Sequence, residues 1–248
     1  EGKYIYIDDD LVIEGSILNS DHLIELCQLV DAFRHYSPDI KIILVMPYCA
    51  YSRQDRRCSK GEAFSLKVFT NILNSLNLNK IFTVDNHSDV STALINNTGN
   101  LKVNELLNPE NKALVGEYPT NTADFLVSPD AGANKKVQAI SSELKIPFIR
   151  ADKVRSLEDN SVSNTTVYAT PDQLDNKTLL IVDDIADGAR TFVELAKAIK
   201  VIQPNCTINL YVTHGFFTYG INHLYEAGIN TIYTTNSVSQ YHNIPSSE

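Results

Sequence analysis

The chain has 248 residues, of which 43% are hydrophobic and 21% are charged, a composition typical of a folded protein with a packed core. Its formal net charge of -9 argues against a broad basic surface for nucleic acid or an anionic membrane, although a small basic pocket stays possible. The four cysteines form no C-x-x-C pair, and no apolar run approaches a membrane span, so we expect reduced thiols in a cytoplasmic protein.

Apolar strands and amphipathic helices alternate along the first half of the sequence. Helical spacing of apolar residues predicts helices over 23–33 and 63–76, and short apolar runs predict strands over 40–46 and 80–85. The run IKIILVM at 40–46 is continuous and rich in β-branched residues, which is typical of a buried strand in a parallel sheet. Residues 96–122 are rich in Asn, Gly and Pro, so we place a domain boundary within them.

The alternation resumes in the second half. The predicted strands are 125–127, 148–149, 178–182, 207–213 and 231–234, and the predicted helices are 132–144, 191–202 and 221–227. Residues 152–166 are polar without periodicity and predict a long loop. The whole pattern predicts an α/β fold of two parallel-sheet subdomains with helices on both faces. We place these subdomains at 1–106 and 107–234, and expect 235–248 to be a tail that packs back on the first.

Two adjacent carboxylates, Asp183 and Asp184, follow the predicted strand at 178–182. Parallel sheets bind ligands at the carboxyl ends of their strands, and each carboxylate could accept a hydrogen bond from one of two neighbouring ribose hydroxyls. The helix that follows offers N–H groups to a phosphate. An isolated Asp-Asp pair is more often a solvent-facing helix cap. Here the residue types occur in an order that predicts a ribose-phosphate site, at Asp183, Asp184, Asp187, Gly188, Ala189, Arg190 and Thr191.

The basic segment, residues 47–57 (PYCAYSRQDRR), follows the predicted strand at 40–46. It could be an ordinary solvated turn, but aromatic and basic residues cluster here at the end of a parallel strand. Guanidinium groups suit phosphate oxygens, so Arg53, Arg56 and Arg57 could face a polyphosphate. Gln54 could bind a base or a ribose.

These segments resemble those of known enzymes. Residues 183–191 resemble the phosphoribosyl-diphosphate loop of type I phosphoribosyltransferases and ribose-phosphate pyrophosphokinases. The basic segment, with GEA at 61–63, resembles the ATP-binding segment of the pyrophosphokinases, which the transferases lack. Residues 83–89 (TVDNHSD) and 127–132 (VSPDAG) resemble further segments of that family. The resemblance implies transfer of the diphosphate of ATP to the anomeric hydroxyl of ribose 5-phosphate, with release of AMP.

The resemblance also implies roles for individual residues. ATP would be bound by a set of five, Arg53, Gln54, Asp55, Arg56 and His87. Mg²⁺ on its phosphates would be held by His87 and Asp130, although a lone histidine after a strand is more often structural. Lys153 and Arg155 match a K-x-R pair in the family's flexible catalytic loop, where Arg155 would also contact the sugar phosphate. The family forms dimers that assemble into hexamers, so we expect a homo-oligomer with no nucleic-acid or membrane partner.

The sugar-phosphate loop departs from the family pattern D-D-x-x-D-T-x-G-T at two positions. Gly188 stands where Thr is usual, and Arg190 stands where Gly is usual. Arg190 either points to solvent or binds a second phosphate, so an acceptor with a larger 5-substituent, such as ADP-ribose, is an alternative. A non-catalytic regulatory homologue and a phosphoribosyltransferase are two others. The presence of Lys153 and His87 counts against the former, and the basic segment counts against the latter.

Overall fold

The alternating segments of the sequence form strands and helices in alternation in the computed structural model of the chain, which describes residues 3–7, 10–108, 119–155 and 162–238. The chain divides into two units, unit 1 (Glu1–Lys102) and unit 2 (Val103–Glu248). The sequence placed this division after residue 106. Residues 239–248 of the expected tail lie outside the described residues.

Unit 1 contains a five-stranded sheet. Its strands are β1 (Lys3–Ile7), β2 (Asp10–Glu14), β3 (Lys41–Val45), β4 (Lys80–Val84) and β5 (Thr98–Leu101), and its helices are α1 (Ser20–Tyr36), α2 (Ser65–Ser75) and α3 (Asp89–Leu94). The sequence predicted α1, β3, α2 and β4, and it missed β1, β2, α3 and β5. The two missed N-terminal strands pair with each other antiparallel, and β2 joins the rest of the sheet beside β3.

The strand order of unit 1 is β1-β2-β3-β4-β5, so each crossover leads to the next strand in one direction. Right-handed crossovers in one direction place their helices on one face of the sheet. Helices α1 and α2 accordingly share one core cluster with Leu11, Ile42 and Leu44. The alternate positions Ile43 and Phe82 lie outside that cluster, and Phe82 is 44% exposed. In the described part of unit 1 the helices thus cover one face, whereas the sequence predicted cover on both.

Unit 2 contains a six-stranded sheet. Its strands are β6 (Phe125–Ser128), β7 (Phe148–Arg155), β8 (Val162–Val167), β9 (Thr178–Ala186), β10 (Thr207–Gly215) and β11 (Ile229–Thr234). Its helices are α4 (Val103–Leu107), α5 (Asn134–Leu144), α6 (Pro171–Leu174), α7 (Arg190–Ile202) and α8 (Asn222–Glu226), with a 3₁₀ turn at Pro119–Thr122. Within the described ranges of both units, no helix combines the length and the apolar character needed to cross a bilayer.

The strand order of unit 2 is β11-β10-β9-β6-β7-β8, so the direction of the crossovers reverses between β6 and β9. This reversal puts helices on both faces, as predicted. Helix α7 packs on one face against Leu179 and Ile181, and α5 packs on the other against Leu126 and Leu180. Leu180 and Ile181 point to opposite faces because side chains alternate along a strand, and both are fully buried. The continuous apolar run of β9 therefore reflects a central strand covered on both sides.

The predicted loop at 152–166 is wrong in part. Strand β7 continues through Asp152 to Arg155 and pairs antiparallel with β8, with Ala151 opposite Val167 and Asp152 opposite Thr166. Residues 156–161 lie outside the described residues. The β-branched residues of VSNTTV in β8 favour a strand, but their polarity hid it, since an edge strand buries little apolar surface.

Candidate functional site

The strand order of unit 2 brings three carboxylates to one edge of the sheet. Strands β6 and β9 pair in parallel with Val127 opposite Ile181, so their carboxyl ends lie side by side. Asp130 follows β6, and Asp183 and Asp184 lie in the carboxyl-terminal part of β9. Because the crossovers from β6 and β9 run in opposite directions, a ligand crevice is expected outside these two strand ends.

The three carboxylates form a cluster of like charges. Asp183 is half-buried and Asp184 is only 5% exposed. Burial raises the pKa of Asp183 well above its ordinary value, and the neighbouring charges of Asp184 and Asp130 raise that pKa further. The Asp184 N–H donates to Asp183 Oδ1 at 3.0 Å and partly offsets this effect. A cation, or a ligand with several hydroxyl donors, would relieve the repulsion, so the cluster is suited to either.

The phosphate loop, residues 187–191, connects β9 to α7 through a tight turn. Ala189 is left-handed (φ 56°, ψ 8°), and α7 begins at Arg190 without a capping side chain from the described residues. Gly188 does not have a positive φ, so this glycine provides space for a neighbour rather than an unusual backbone angle. The amides of the first helical turn and the positive end of the helix dipole favour an anion here.

A second segment, the tyrosine loop (residues 216–220), is hydrogen-bonded to this turn. The N–H groups of Phe216 and Phe217 donate to the Ala186 carbonyl at 2.7 and 3.1 Å. The Thr218 N–H donates to the Asp187 carbonyl at 3.2 Å, and the Thr218 hydroxyl donates to the Asp187 carboxylate. Asp187 therefore connects the two loops.

The tyrosine loop is also anchored in the core. Phe217 has a left-handed backbone (φ 46°) and a side chain only 6% exposed. A Cβ on Gly215 would lie 2.3 Å from Phe217 Cε2, so this packing requires glycine at position 215. The anchored loop places Tyr219 next to Gly188. We did not expect Thr218 or Tyr219 in the site from the sequence, although aromatic residues directly after a predicted strand end were an available signal.

A buried polar network holds the end of β10. His214, only 1% exposed, lies 2.8 Å from the Ser237 hydroxyl through Nδ1. The hydroxyls of Ser237 and Thr235 lie 3.1 and 2.7 Å from the Thr213 carbonyl. Because His214 lies opposite Ile185 of the neighbouring strand β9, this network fixes the end of β10 beside the phosphate loop.

In unit 1 the basic segment follows the end of β3. Its polar side chains are open to solvent at the positions predicted to bind ATP: Arg53, Gln54 and Arg56 are exposed and Asp55 is half-buried. The Gln54 N–H donates to the Tyr51 carbonyl at 2.9 Å, and the Gln54 carbonyl accepts from the Leu66 N–H at 3.3 Å. This turn therefore joins the segment directly to the start of α2.

The loop after the basic segment is organised by Glu62. Its Oε2 accepts hydrogen bonds from the N–H groups of Cys58 and Ser59 at 2.6 and 2.9 Å. Its carbonyl accepts one from Arg57 Nε at 3.2 Å. Part of the Arg57 guanidinium is thus used within the loop, which limits its role toward a phosphate.

The end of β4 forms a rigid turn that exposes a histidine. Asp85 is buried with a left-handed backbone (φ 42°), and its N–H donates to the Leu101 carbonyl at 2.7 Å. The Asn86 amide group donates to Thr83 Oγ1 at 2.9 Å. His87, which follows, is exposed. An exposed side chain after a rigid strand end is accessible to a ligand, whereas a core histidine is not.

The last predicted residues are the Lys-x-Arg pair and the two metal ligands. Lys153 and Arg155 lie on β7, paired with Thr165 and Val162 of β8, and their side chains lie outside the described part of the chain. His87 belongs to unit 1 and Asp130 to unit 2, so their joint binding of a metal ion stays a prediction. The described residues contain no group of three or more His, Cys, Asp or Glu side chains arranged to hold a metal ion.

Two family models match the chain. Residues 5–76 match the N-terminal domain of ribose phosphate pyrophosphokinase, and residues 101–216 match the phosphoribosyl transferase domain. The first match covers the basic segment, and the second covers the carboxylate cluster and the phosphate loop. The two matches therefore include most of the residues singled out from the sequence.

Relatives of known activity match along most of their length. The ribose-phosphate pyrophosphokinase of Thermosipho africanus is 30% identical over 231 residues, which are 91% of this chain and 69% of that protein. The enzyme of the same name from Sulfolobus acidocaldarius is 29% identical over 240 residues, 94% of this chain and 78% of that protein. The fold is similar to the crystal structure of phosphoribosylpyrophosphate synthetase from Mycobacterium smegmatis, with a TM-score of 0.75, 18% identity, and 98% and 83% of the two chains covered.

Proposed function

Because the chain belongs to the ribose-phosphate pyrophosphokinase family, we propose that it transfers the β,γ-diphosphate of ATP to ribose 5-phosphate, giving 5-phosphoribosyl 1-diphosphate and AMP. The observation that carries this proposal is the carboxylate cluster at the reversal of strand order, followed directly by the phosphate loop. The relatives named above support a kinase. Neither a phosphoribosyltransferase nor a non-catalytic homologue is favoured by them.

The acceptor is proposed to bind in unit 2. Asp183 and Asp184 accept hydrogen bonds from the ribose hydroxyls, which donate to carboxylates at short range. Asp187, Gly188, Ala189, Arg190 and Thr191 surround the 5-phosphate, mainly through backbone N–H groups at the start of α7. A sugar held at both ends presents its anomeric hydroxyl in a fixed direction, and this is the main contribution that a protein makes to phosphoryl transfer.

The donor is proposed to bind in unit 1. Arg53 and Arg56 are exposed cations for the phosphate oxygens, while Gln54 and Asp55 offer polar groups to the nucleoside. His87, exposed at the end of β4, adds a contact to the ATP phosphates. Lys153 and Arg155 are proposed to neutralise the charge that develops on the transferred group.

Magnesium fits the residues of this site by their chemistry. The carboxylate of Asp130 offers the oxygen ligands that Mg²⁺ prefers, and the charges of Asp183 and Asp184 lie near it. We propose that Asp130 and His87 hold the ion. When bound, Mg²⁺ would neutralise charge on the phosphates of ATP.

The reaction forms one bond and breaks one. The anomeric oxygen attacks the β-phosphorus of ATP, the bond between that phosphorus and the α,β-bridging oxygen breaks, and AMP leaves. The anomeric hydroxyl loses its proton. The side chains bind and align the two substrates and neutralise charge on the phosphates, and none of them forms a covalent bond to a substrate.

A second acceptor is supported by the phosphate loop itself. Gly188 has no side chain between the phosphate loop and the ring of Tyr219, which is 80% exposed, and Arg190 is exposed at the first helical position. A free guanidinium fork and an exposed ring would suit a ribose with a larger 5-substituent, such as ADP-ribose. The chemistry at the anomeric oxygen would be unchanged.

One experiment separates these possibilities. The protein is incubated with ATP and Mg²⁺ plus either ribose 5-phosphate or ADP-ribose, and AMP is measured beside the diphosphorylated sugar. Formation of AMP with ribose 5-phosphate supports the main proposal. Formation of AMP with ADP-ribose alone would mean that the larger sugar is the acceptor. If neither acceptor yields AMP, the proposed kinase activity is wrong. The Asp183→Asn, Asp184→Asn double variant is the matched control for contaminating activity. We also propose that the protein is a homo-oligomer in the cytoplasm.

A further inference from the structure

Tyr219 combines an anchored backbone with an exposed side chain. A Cβ on Gly188 would lie 3.2 Å from Tyr219 Cε2 and 3.5 Å from Cδ2, so the edge of the ring lies directly beside the phosphate loop. The side chain is nevertheless 80% exposed. A tyrosine in this state gains free energy when a ligand covers its ring, and its hydroxyl can remain in contact with water or with a polar group.

The loop that carries Tyr219 is held before any ligand binds. Phe217 is buried against Gly215, and the backbone bonds to Ala186 and Asp187 fix the residues on either side. The Thr218 hydroxyl adds a bond to the Asp187 carboxylate. The backbone of such a preorganised loop loses little conformational entropy on binding, so a contact with its side chain contributes more of its free energy to affinity.

We propose that Tyr219 is a specificity-determining residue of the acceptor site, and that its ring forms a wall beside Gly188 against which the 5-substituent of the sugar packs. This inference rests on the proposed function of the phosphate loop. The absence of a side chain at position 188 leaves room for the ring, so Gly188 and Tyr219 act as a pair. A larger side chain at position 188 would press on the ring.

The first test measures steady-state AMP release by Tyr219→Ala, with ribose 5-phosphate and ATP varied separately. We expect the KM for ribose 5-phosphate to rise about five- to tenfold, the order expected for one aromatic contact, while the KM for ATP and the Tm stay unchanged. Tyr219→Phe keeps the ring and should stay within about twofold of the wild type. Tyr36→Ala, which removes a tyrosine 85% exposed in unit 1, is the matched control and should have no effect.

The second test is a double-mutant cycle between positions 188 and 219. Gly188→Ala should displace the ring by a few tenths of an ångström and raise the KM for ribose 5-phosphate about two- to threefold. In the Tyr219→Ala background the same substitution should have no further effect. An equal effect in both backgrounds contradicts the pairing.

The results distinguish this inference from the proposed function. An active wild type whose Tyr219→Ala variant keeps its KM for ribose 5-phosphate overturns the inference alone. The inference is also overturned if Tyr219→Ala raises the KM for ATP as much as the KM for ribose 5-phosphate. It is overturned as well if Tyr219→Phe raises the KM for ribose 5-phosphate as much as Tyr219→Ala does. If the wild type forms no AMP, the proposed function fails. Calorimetric titration of the wild type and of Tyr219→Ala with ribose 5-phosphate then tests the inference. Weaker binding by the variant supports the inference. Equal binding by the two proteins, or no binding by either, overturns it.

Discussion

Replacing Asp183 with Asn should stabilise the free protein while it weakens acceptor binding. The substitution keeps the size of the side chain and keeps Oδ1 as the acceptor for the Asp184 N–H, 3.0 Å away. It removes a charge whose pKa is raised by burial and by the charges of Asp184 and Asp130. Each unit by which folding raises that pKa corresponds to about 1.4 kcal/mol of lost stability when the carboxyl is ionised.

The pH dependence gives this prediction its sign. A carboxyl with a raised pKa in the folded state binds its proton more tightly there than in the unfolded chain, so the protein loses stability as pH rises through the interval between the two values. Below the ordinary value of 3.8 the wild type and Asp183→Asn should unfold at similar temperatures. Above pH 3.8 the variant should unfold at a higher temperature than the wild type. The difference should become constant once Asp183 is fully ionised in the folded state of the wild type.

The assay is thermal unfolding between about pH 3 and pH 8, followed by far-UV circular dichroism because the chain has no tryptophan. A gain of 1 kcal/mol raises the Tm by about 2–4 °C in a chain of this size. An equal or lower Tm for Asp183→Asn at pH 8, or a difference that does not depend on pH, would refute the reasoning. In the kinase assay the variant should raise the KM for the acceptor at least tenfold, since it replaces a charged acceptor of a hydrogen bond.

Asp124→Asn is the matched control because it has the opposite sign. The Thr178 N–H at 2.8 Å lowers the pKa of Asp124, and Lys177 Nζ at 3.1 Å lowers it further. Its contribution to stability is present above the ordinary pKa of 3.8 and is lost as pH falls below that value. The pair is partly exposed and screened by solvent, so Asp124→Asn should cost about 0.2–1 kcal/mol at neutral pH.

Three further predictions test the anchored loop, the proposed role of Lys153 and the thiols. Gly215→Ala should cost about 1–3 kcal/mol and lower the Tm, because its Cβ would lie 2.3 Å from Phe217; an unchanged Tm would contradict this packing. Lys153→Ala should cut turnover by orders of magnitude with the KM for ATP nearly unchanged, and a near-normal rate would refute its catalytic role. Iodoacetamide at pH 8 should label the exposed Cys58 but spare Cys49, since burial raises the pKa of that thiol to about 12; peptide mass spectrometry would expose early labelling of Cys49.

Much of the site could be predicted because its residues follow strands with a strong local signal. The fully apolar run of β9 marked a buried strand, so Asp183 and Asp184 could be placed at a strand end. The same holds for the basic segment after β3. The predicted α/β fold and the family are confirmed by the matches along the chain. The roles of Lys153 and Arg155 stay predictions, since their side chains lie outside the described part of the structure.

Other features depend on residues that are far apart in the sequence. No local pattern indicated that β6 lies beside β9, the pairing that adds the charge of Asp130 to the burial that raises the pKa of Asp183. The polar strand β8 was missed because its pairing with β7, rather than its own periodicity, makes it a strand. The position of Tyr219 beside Gly188 required both the packing of Phe217 and the end of β10.

The sequence by itself determined where strands and helices alternate and which polar residues stand at strand ends, because backbone propensity and apolar periodicity act over a few residues. Only the tertiary structure decided the order of the strands, the electrostatic cluster of Asp130, Asp183 and Asp184, and the contact between the phosphate loop and Tyr219. These depend on burial and pairing between distant segments, whose free energy no local window of sequence contains.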